Sequence, residues 1–421
     1  MRPYEGYVYA YPHKTAYRPL DPRPRLKDVW AEERPGALYV HIPFCEMRCG
    51  FCNLFTRTGA PEELVTSYLD ALERQAVQVR AALGETGFTT AAFGGGTPTY
   101  LSARELTRLF DLTERVMGAE FEQIPLSVET SPATATSDRL SVLVERGATR
   151  VSIGVQSFID AEARSAVRPQ NRAEVDAALD TIRTAGVPVL NIDLIYGIDG
   201  QTVESWLYSI EAALAWRPEE LFLYPLYVRP LTGLGKQGRA WDDQRLELYR
   251  AGRDRLVAAG YEQVSMRMFR LPGSSTATEY CCQTDGMVGL GCGARSYTSE
   301  LHYSFEYAVG ARHVRAIIDD YVGRTEFDVA NVGFALSIDE RKRRHLIQSL
   351  LQAEGLSREL YLQRFGTDVL ADFALDAFDG RLLVDAATVR LTAEGLAHSD
   401  AIGPALFSPE VRRLMDAYAA C

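Results

Sequence analysis

The stretch HIPFCEMRCGFCNLF, residues 41–55, decides the fold and the chemistry of this chain. It places Cys45, Cys49 and Cys52 at C-x3-C-x2-C spacing, directly after an apolar run that predicts a β-strand. Three thiolates on one short loop suit a cubane iron–sulfur cluster, because they can bind three corners and leave the fourth iron open to a small molecule. Tetrahedral zinc would require a fourth Cys or His nearby, and His41 lies on the predicted strand itself.

Outward from this loop, strand and helix signals alternate. Six segments have the nearly continuous apolar character of parallel strands that are buried on both faces. Amphipathic helical stretches between them indicate βα units, which form either a partly closed barrel or an open doubly wound sheet. No G-x-G-x-x-G fingerprint follows the first strand, which weakens the dinucleotide-binding alternative. The strand segments are 37–44, 89–96, 125–131, 150–157, 187–197 and 220–228, and the helical segments are 61–83, 102–117, 136–146, 171–186, 201–215 and about 241–259.

The segments on either side of this alternation differ from it in composition. Residues 1–36 are rich in proline and tyrosine and predict an irregular segment that wraps the body. Residues 37–325 contain the βα units and an extension, in which residues 261–271 predict a further strand. Residues 326–421 predict a small C-terminal domain of winged-helix type, with a two-strand wing closed by a helix.

Composition limits the classes of function. The chain has 421 residues, is 47% hydrophobic and carries a net charge of −11, which argues against general binding of nucleic acid. The first twenty residues lack the apolar run of a secretory signal, and no segment is long and apolar enough to span a membrane. Seven cysteines, three of them at metal-binding spacing, favour a reducing cytoplasm over a disulfide scaffold. We therefore expect a cytoplasmic protein with a small-molecule substrate.

Polar residues recur where the predicted strands end. Functional side chains of a parallel barrel lie at the carboxyl ends of its strands. The second strand runs into the sequence GGGTPT, residues 94–99. The third carries Glu129, the fourth carries Gln156 with Arg168 twelve residues later, and the fifth carries Asp193. Together these positions predict a polar ligand in the mouth of the barrel.

These motifs resemble the radical S-adenosylmethionine (radical SAM) superfamily. The strings that carry the resemblance are YVHIPFC-x3-C-x-F-C, GGGTPT, SVE, VSIGVQSF and NIDLIYG, and the likeness covers about residues 37–300. Within the superfamily, the chain is similar to the branch of oxygen-independent coproporphyrinogen III oxidase, with its haem-chaperone and methyltransferase relatives. The resemblance implies an α/β fold: a partial (β/α)6 TIM-like radical SAM barrel with a small C-terminal winged-helix-like domain.

The resemblance also implies cofactors and roles. A [4Fe–4S] cluster would bind one SAM, and an electron from a partner such as flavodoxin or ferredoxin would cleave it to a 5′-deoxyadenosyl radical that takes hydrogen from a substrate. A second SAM is expected beside the first. The implied cluster ligands are Cys45, Cys49 and Cys52; the contacts of the cluster-bound SAM are Tyr39, Gly95 and Glu129, with Phe51 over the adenine; and the positions associated with the second SAM are Gly96, Thr97, Gln156, Arg168 and Asp193.

Two departures from the branch shape the expected reaction. Haem chaperones carry H-N-x-x-Y-W before the glycine-rich piece, whereas residues 279–296, EYCCQTDGMVGLGCGARS, have neither a His-Asn pair nor a Trp. The oxidases have a further Cys just after the triad, whereas Asn53 and Leu54 follow Cys52 here. These differences favour a class C methyltransferase-like enzyme that methylates or cyclopropanates an sp2 carbon of a natural-product substrate. The alternatives are coproporphyrinogen oxidase-like decarboxylation and a haem-binding chaperone.

Several other residues admit two interpretations. Cys281, Cys282 and Cys292 would be extra cluster ligands or radical-path thiols, or else buried or incidental thiols. Tyr224 and Tyr227 would line the substrate cavity or serve as packing.

Overall fold

The structure is a computed structural model that describes residues 2–229, 232–235, 243–274, 286–378 and 380–418. Most of its strands join one large mixed sheet, and two smaller sheets lie beside it. In chain order the strands are β1 (Arg18–Pro19), β2 (Ala37–Ile42), β3 (Phe44–Cys45), β4 (Arg57–Thr58), β5 (Thr90–Gly95), β6 (Leu126–Thr130), β7 (Arg150–Gln156), β8 (Val189–Tyr196), β9 (Glu220–Pro225), β10 (Glu262–Gln263), β11 (Met268–Arg270), β12 (Met287–Leu290), β13 (Arg295–Tyr297), β14 (Leu301–Ser304), β15 (Val332–Ala335), β16 (Leu356–Ser357), β17 (Leu382–Val384) and β18 (Thr388–Leu391).

Helices alternate with the strands of the large sheet and cover its outer face. Each predicted helical segment of the first 260 residues contains a helix, and α9 is one that the sequence pattern did not reveal. In chain order the α-helices are α1 (Leu26–Val29), α2 (Glu62–Leu83), α3 (Ala103–Arg115), α4 (Ser137–Glu145), α5 (Asp160–Ser165), α6 (Arg172–Ala185), α7 (Val203–Leu214), α8 (Arg245–Ala258), α9 (Ala311–Gly323), α10 (Ile338–Leu350), α11 (Arg358–Phe365), α12 (Val369–Asp372), α13 (Ala393–Ala397), α14 (Ser399–Ala405) and α15 (Pro409–Asp416).

The six predicted parallel strands form an open barrel. They lie side by side in chain order, as β2-β5-β6-β7-β8-β9, and each neighbouring pair is parallel. Among the described residues the outer strands do not meet, because β9 pairs next with β11 and β2 pairs next with β12. The predicted partial (β/α)6 architecture is confirmed, and the doubly wound alternative is wrong because the strand order follows the chain without reversing.

Capping side chains explain where several helices begin. The Ser102 hydroxyl accepts a hydrogen bond from the backbone N–H of Glu105, and the Glu105 carboxylate in turn accepts one from the backbone N–H of Ser102. Thr202 makes the same reciprocal arrangement with Ser205 at the start of α7. At α4 the cap position is Thr136, and Ser137 is the first helical residue.

The region after β9 differs from its sequence interpretation. Residues 261–271 form two short antiparallel strands, β10 and β11, rather than one strand. The glycine-rich piece supplies β12, which extends the parallel barrel beside β2, and β13, which turns back antiparallel to it. A tight return at Gly291, where φ is +95°, permits this reversal. No helix of the described residues is long and apolar enough to cross a membrane.

The C-terminal region has its own core and a three-stranded sheet of order β16-β18-β17. The β17–β18 hairpin and α13 correspond to the predicted wing and its closing helix. Tyr11 and Ala16 of the N-terminal segment are buried in this core, and β1 adds an edge strand to the large sheet beside β15. The domain boundaries at residues 36 and 325 stay predictions.

A buried carboxylate joins three parts of the chain at the barrel mouth. Asp400 pairs with Arg267 near β11 and accepts a hydrogen bond of 2.6 Å from the Tyr227 hydroxyl. Its backbone carbonyl accepts hydrogen bonds from the N–H groups of Glu5 and Gly6, at 3.2 and 3.0 Å. The N-terminal segment, the barrel and the C-terminal region therefore meet at one residue that is 1% exposed.

Candidate active site

Backbone contacts fix the cysteine loop against the carboxyl ends of the barrel strands. The loop begins with β3, which pairs with β4 in parallel. The N–H of Gly50 donates to the carbonyl of Ala166 at 3.0 Å, and the N–H of Leu234 donates to the carbonyl of Gly50 at 2.8 Å. All three loop cysteines are free and half-buried, and they face one cavity.

Among the described residues, each cysteine thiol has one polar side chain within hydrogen-bonding range. A donor aimed at a ligating sulfur stabilises negative charge on it. The pairs are Thr97 Oγ1 with Cys45 Sγ at 3.5 Å, Arg168 Nη1 with Cys49 Sγ at 3.1 Å, and Thr56 Oγ1 with Cys52 Sγ at 3.9 Å.

The donor set fits the predicted cluster. Burial raises the pKa of the Cys45 thiol to about 12 and also raises the pKa of Cys52, so metal has to replace a proton on these sulfurs. Among the described residues, no three His, Cys, Asp or Glu side chains are placed as ligands of a single metal ion. A cubane makes a different demand, because each thiolate binds a different iron atom.

The glycines after β5 serve the packing of the cysteine loop. Gly95 has φ +110°, and a Cβ there would lie 2.4 Å from the ring of His41. A Cβ on Gly96 would lie 2.5 Å from the carbonyl oxygen of Phe44, and the Gly96 N–H donates to the carbonyl of Ile42 at 2.8 Å. Gly95 and Gly96, for which the resemblance implies SAM contacts, are therefore also required by the packing of the cysteine loop.

Two carboxylates lie deep in the barrel and face the cavity. Glu129 accepts a hydrogen bond of 3.1 Å from the N–H of Gly95, and Asp193 accepts bonds from Asn191 at 2.7 Å and Ser152 at 3.4 Å. Enclosure by the barrel, and then the charge of Asp193, raise the pKa of Glu129 to about 7. The side chain of Glu129 remains accessible from the cavity. Burial raises the pKa of Asp193 to about 6. Both groups are suited to a cationic or hydroxyl-bearing ligand, which would lower these pKa values again.

A strained turn holds Arg168 in place. Val167 has φ +52°, a conformation that is costly for a β-branched residue. Arg168 follows it, donates to Gln170 Oε1 at 2.6 Å and to the Gly154 carbonyl at 2.5 Å, and is 8% exposed. Gln156, with φ +70°, lies where the register of β7 and β8 shifts. Strained backbone of this kind is concentrated at functional sites.

The predicted aromatic residues line the same space. The Tyr39 hydroxyl lies 3.3 Å from His41 Nδ1, and Phe51 packs against a small apolar cluster on the cavity wall. Tyr224 stacks on Phe222 with ring centroids 5.8 Å apart and lines the cavity, as Tyr227 also does.

One cavity of about 1260 Å³ brings all of these side chains together. The roles of these residues toward the cluster and SAM stay predictions. The predicted residues on its wall are Tyr39, Cys45, Cys49, Phe51, Cys52, Gly95, Gly96, Thr97, Glu129, Gln156, Arg168 and Asp193.

Sequence reasoning missed the cations of the cavity wall. Lys14, Arg229 and Arg295 come from three distant parts of the chain, and none was predicted as a site residue, although Arg295 lies within the glycine-rich piece. Tyr7 and Tyr9 of the N-terminal segment lie beside them. The tyrosine-rich opening of the sequence was the available signal, and it indicated only a wrapping segment.

The remaining cysteines divide into described and undescribed residues. Cys292 is free and 1% exposed, its Sγ lies 4.0 Å from the Tyr68 hydroxyl, and burial raises its pKa to about 12. These properties fit an inert, buried thiol. Cys281 and Cys282 lie outside the described residues.

Comparison with known proteins identifies the superfamily. The family model of the Radical SAM superfamily matches residues 39–213, which include the cysteine loop and β2 to β8. The chain contains a radical SAM domain. The predicted [4Fe–4S] cluster and SAM are the cofactors of this superfamily, and the chain is a radical SAM enzyme.

The likeness to the coproporphyrinogen III oxidase-like branch extends over most of the chain. The heme chaperone HemW of Bacillus subtilis is 27% identical over 86% of this chain and 92% of its own. An oxygen-independent coproporphyrinogen III oxidase of Pseudomonas aeruginosa is 29% identical over 93% of this chain and 90% of its own. The solved coproporphyrinogen III oxidase of Escherichia coli, HemN, aligns with a TM-score of 0.75 and 26% identity over 92% of this chain and 91% of its own.

These relatives bear on the expected reaction. They support the oxidase-like or chaperone-like alternative better than methyl transfer to a natural product. The preference for methyl transfer rested on two absent motifs, and absent motifs carried less information than the full-length likeness.

Proposed function

We propose that this protein is a coproporphyrinogen III oxidase-like enzyme that begins the decarboxylation of a carboxylated tetrapyrrole precursor with a radical made from SAM. The observation that carries this proposal is the cavity of about 1260 Å³ beside the cysteine loop. Sites for single drug-sized ligands occupy roughly 300–1,000 Å³. The cavity volume supports room for SAM together with a large substrate.

The bound cluster and SAM would supply a 5′-deoxyadenosyl radical that takes hydrogen from the substrate. The chain's own residues bind and orient. We assign Tyr39, Gly95 and Glu129 to the first SAM, with the Glu129 carboxylate accepting hydrogen bonds from it. Phe51 would cover the adenine, and the cavity lining would keep the radical from solvent.

A second SAM is part of the proposal. We assign Gly96, Thr97, Gln156, Arg168 and Asp193 to it. Arg168 can pair with a carboxylate through its planar guanidinium, and Asp193 can accept from an ammonium or a ribose hydroxyl. A reducing partner such as flavodoxin or ferredoxin would deliver the electron, and we propose the cytoplasm as the compartment.

The test is turnover of coproporphyrinogen III by anaerobically reconstituted protein with SAM and a chemical reductant. We expect a product that has lost the elements of carbon dioxide and two hydrogens from a propionate side chain, together with 5′-deoxyadenosine. A triple alanine variant of Cys45, Cys49 and Cys52 should lose both the iron and the product. Its matched control is Cys292→Ala, which should keep them, because this thiol is 1% exposed and its polar contact is the Tyr68 hydroxyl at 4.0 Å.

Two measurements separate the alternatives. SAM with a deuterated methyl group should leave no deuterium in 5′-deoxyadenosine during turnover, and its appearance there would support methyl or methylene transfer instead. A haem titration should give no stoichiometric Soret shift, because residues 279–296 lack the His-Asn pair and the Trp of the chaperone motif. A saturable shift without decarboxylated product would overturn the oxidase-like proposal.

A further inference from the structure

We propose that Lys14, Arg229 and Arg295 form a binding site for a carboxylate of the substrate. We name these three side chains the cationic wall. The inference rests on the proposed function in one respect, namely that the substrate is an anion with several carboxylates. Neither the family model nor the relatives assign a role to these residues.

The three cations come from separate elements; Lys14 and Arg295 share the ring of Tyr9, and Arg229 lies 4.9 Å from the centroid of the Tyr227 ring. Lys14 begins the short 3-10 turn Lys14–Ala16, Arg229 follows β9, and Arg295 begins β13. The ammonium of Lys14 lies 3.4 Å from the centroid of the Tyr307 ring and 5.7 Å from that of Tyr9. The guanidinium of Arg295 lies 4.6 Å from the Tyr9 centroid. The folded chain therefore brings these charges to one side of the cavity.

Within the part of the chain that the structure describes, the cationic wall has no carboxylate partner. Among the described residues, none of its members forms an ion pair with Asp or Glu. Arg295 Nη1 and Arg229 Nε are buried without a hydrogen-bond partner. Arg267, another buried arginine at this end of the barrel, does have a partner in Asp400. This contrast favours a bound anion from outside the chain as the partner of the cationic wall.

Mutual repulsion among the three cations also favours binding of an anion between them. Like charges in a buried site destabilise one another, and an anion between them offsets that cost. Burial, followed by the charge of Arg295, lowers the pKa of Lys14 well below its usual value. Burial and the nearby cations, Lys14 first, lower the pKa of His13 to about 3. A carboxylate bound here would stabilise the charged form of Lys14.

The position of the cationic wall favours substrate over SAM. The residues that we assign to SAM lie on the cysteine loop, at the ends of β2 and β5 to β8, and on the segment after β7. The cationic wall instead belongs to the N-terminal segment, the end of β9 and β13. A substrate that fills the space between these two sets could place one carboxylate on the cations and another part near the radical.

The test is equilibrium binding of coproporphyrin III, the stable oxidised form, to cluster-loaded enzyme with SAM, followed by fluorescence quenching. Lys14→Met, Arg229→Met and Arg295→Met should each weaken binding about 10- to 100-fold, the range for losing one charged hydrogen bond. Lys14→Arg should retain more affinity than Lys14→Met. The control Lys27→Met removes a charge from an exposed lysine of α1 and should bind as the wild type does.

Every outcome decides the proposal. Unchanged affinity in all the folded cationic-wall variants would overturn it, and so would an equal loss of SAM affinity, which would assign the cations to the cofactor. If the wild-type protein does not bind coproporphyrin III, tricarballylate, a small tricarboxylate, is titrated instead. Binding of tricarballylate that Lys14→Met abolishes would keep the carboxylate site while refuting the tetrapyrrole substrate, and its absence would overturn the site as well.

Discussion

Substituting Gly50 by alanine tests how the cysteine loop is held. A Cβ at Gly50 would lie 2.8 Å from both Cβ and Cγ2 of Val167 and 2.9 Å from the Ala166 carbonyl oxygen. These are separations that the loop can relieve only by moving away from the segment that carries Arg168. The movement would break the 3.0 Å hydrogen bond from Gly50 to Ala166 and the 3.1 Å contact of Arg168 with Cys49.

The expected cost follows from two contributions. Overpacking by one methyl group costs about 1–3 kcal/mol. Loss of the backbone hydrogen bond adds roughly 1 kcal/mol. We therefore expect Gly50→Ala to lower the free energy of unfolding by about 2–4 kcal/mol and to lower the iron content after anaerobic reconstitution.

A matched control and a partial rescue sharpen this test. Gly87→Ala adds the same methyl where no atom lies within 4 Å, and it should leave stability and iron content unchanged. Val167→Gly removes two of the clashing atoms and also relieves the left-handed backbone of a β-branched residue, which costs about 1–2 kcal/mol. The double variant of Gly50 and Val167 should thus recover part of the loss. Equal urea midpoints and equal iron contents for Gly50→Ala and Gly87→Ala would refute the reasoning.

Three further predictions concern charge at and around the cavity. The pKa of Glu129 is raised to about 7, so the affinity for SAM should increase from pH 6 to pH 8 as the carboxylate ionises. In a binding titration, Glu129→Gln should remove most of this pH dependence. The same pH profile for the variant and the wild type would contradict the prediction. Arg168→Met removes an N–H···S hydrogen bond to Cys49, so it should lower the reduction potential of the cluster by tens of millivolts. A redox titration followed by EPR measures this potential. The control Arg164→Met, at an exposed arginine, should leave the potential unchanged. Asp400→Asn should cost about 3–5 kcal/mol in urea unfolding because it leaves a buried arginine unpaired. Glu410→Gln, at an exposed pair, should leave the urea midpoint nearly unchanged, and equal losses for the two variants would argue against the buried pair.

The sequence predicted those parts of the fold that depend on local pattern. The six parallel strands were found because apolar runs of that length, separated by amphipathic stretches, have few other solutions. The glycine-rich piece was harder, because β12 pairs with β2, whose residues lie some 250 positions earlier, and short apolar runs do not reveal their partner. Helix α9 was missed, although it packs against α2 and completes the core beside the cysteine loop.

In the candidate site, too, residues close together in the sequence could be predicted, whereas residues that meet only in the folded chain could not. Cys45, Cys49 and Cys52 lie within eight residues, so their spacing alone carried the chemistry. Lys14 and Arg295 are 281 positions apart and meet only in the folded chain, so no local motif could join them. The choice of reaction failed for a related reason, since two missing strings were weighed against a resemblance that runs through the whole chain.

The joint at Asp400 has a consequence for how the protein is made. Residues near both termini line the cavity, among them Tyr7 and Tyr418, and Asp400 ties the N-terminal segment to the barrel. The ribosome makes Asp400 long after Glu5 and Gly6, so the N-terminal segment gains this hydrogen-bond partner only after the barrel has been synthesised. Until then, the cavity beside the cysteine loop lacks the walls that the N-terminal and C-terminal regions supply. The contacts of Asp400 therefore complete the cavity only after the cysteine loop has been made.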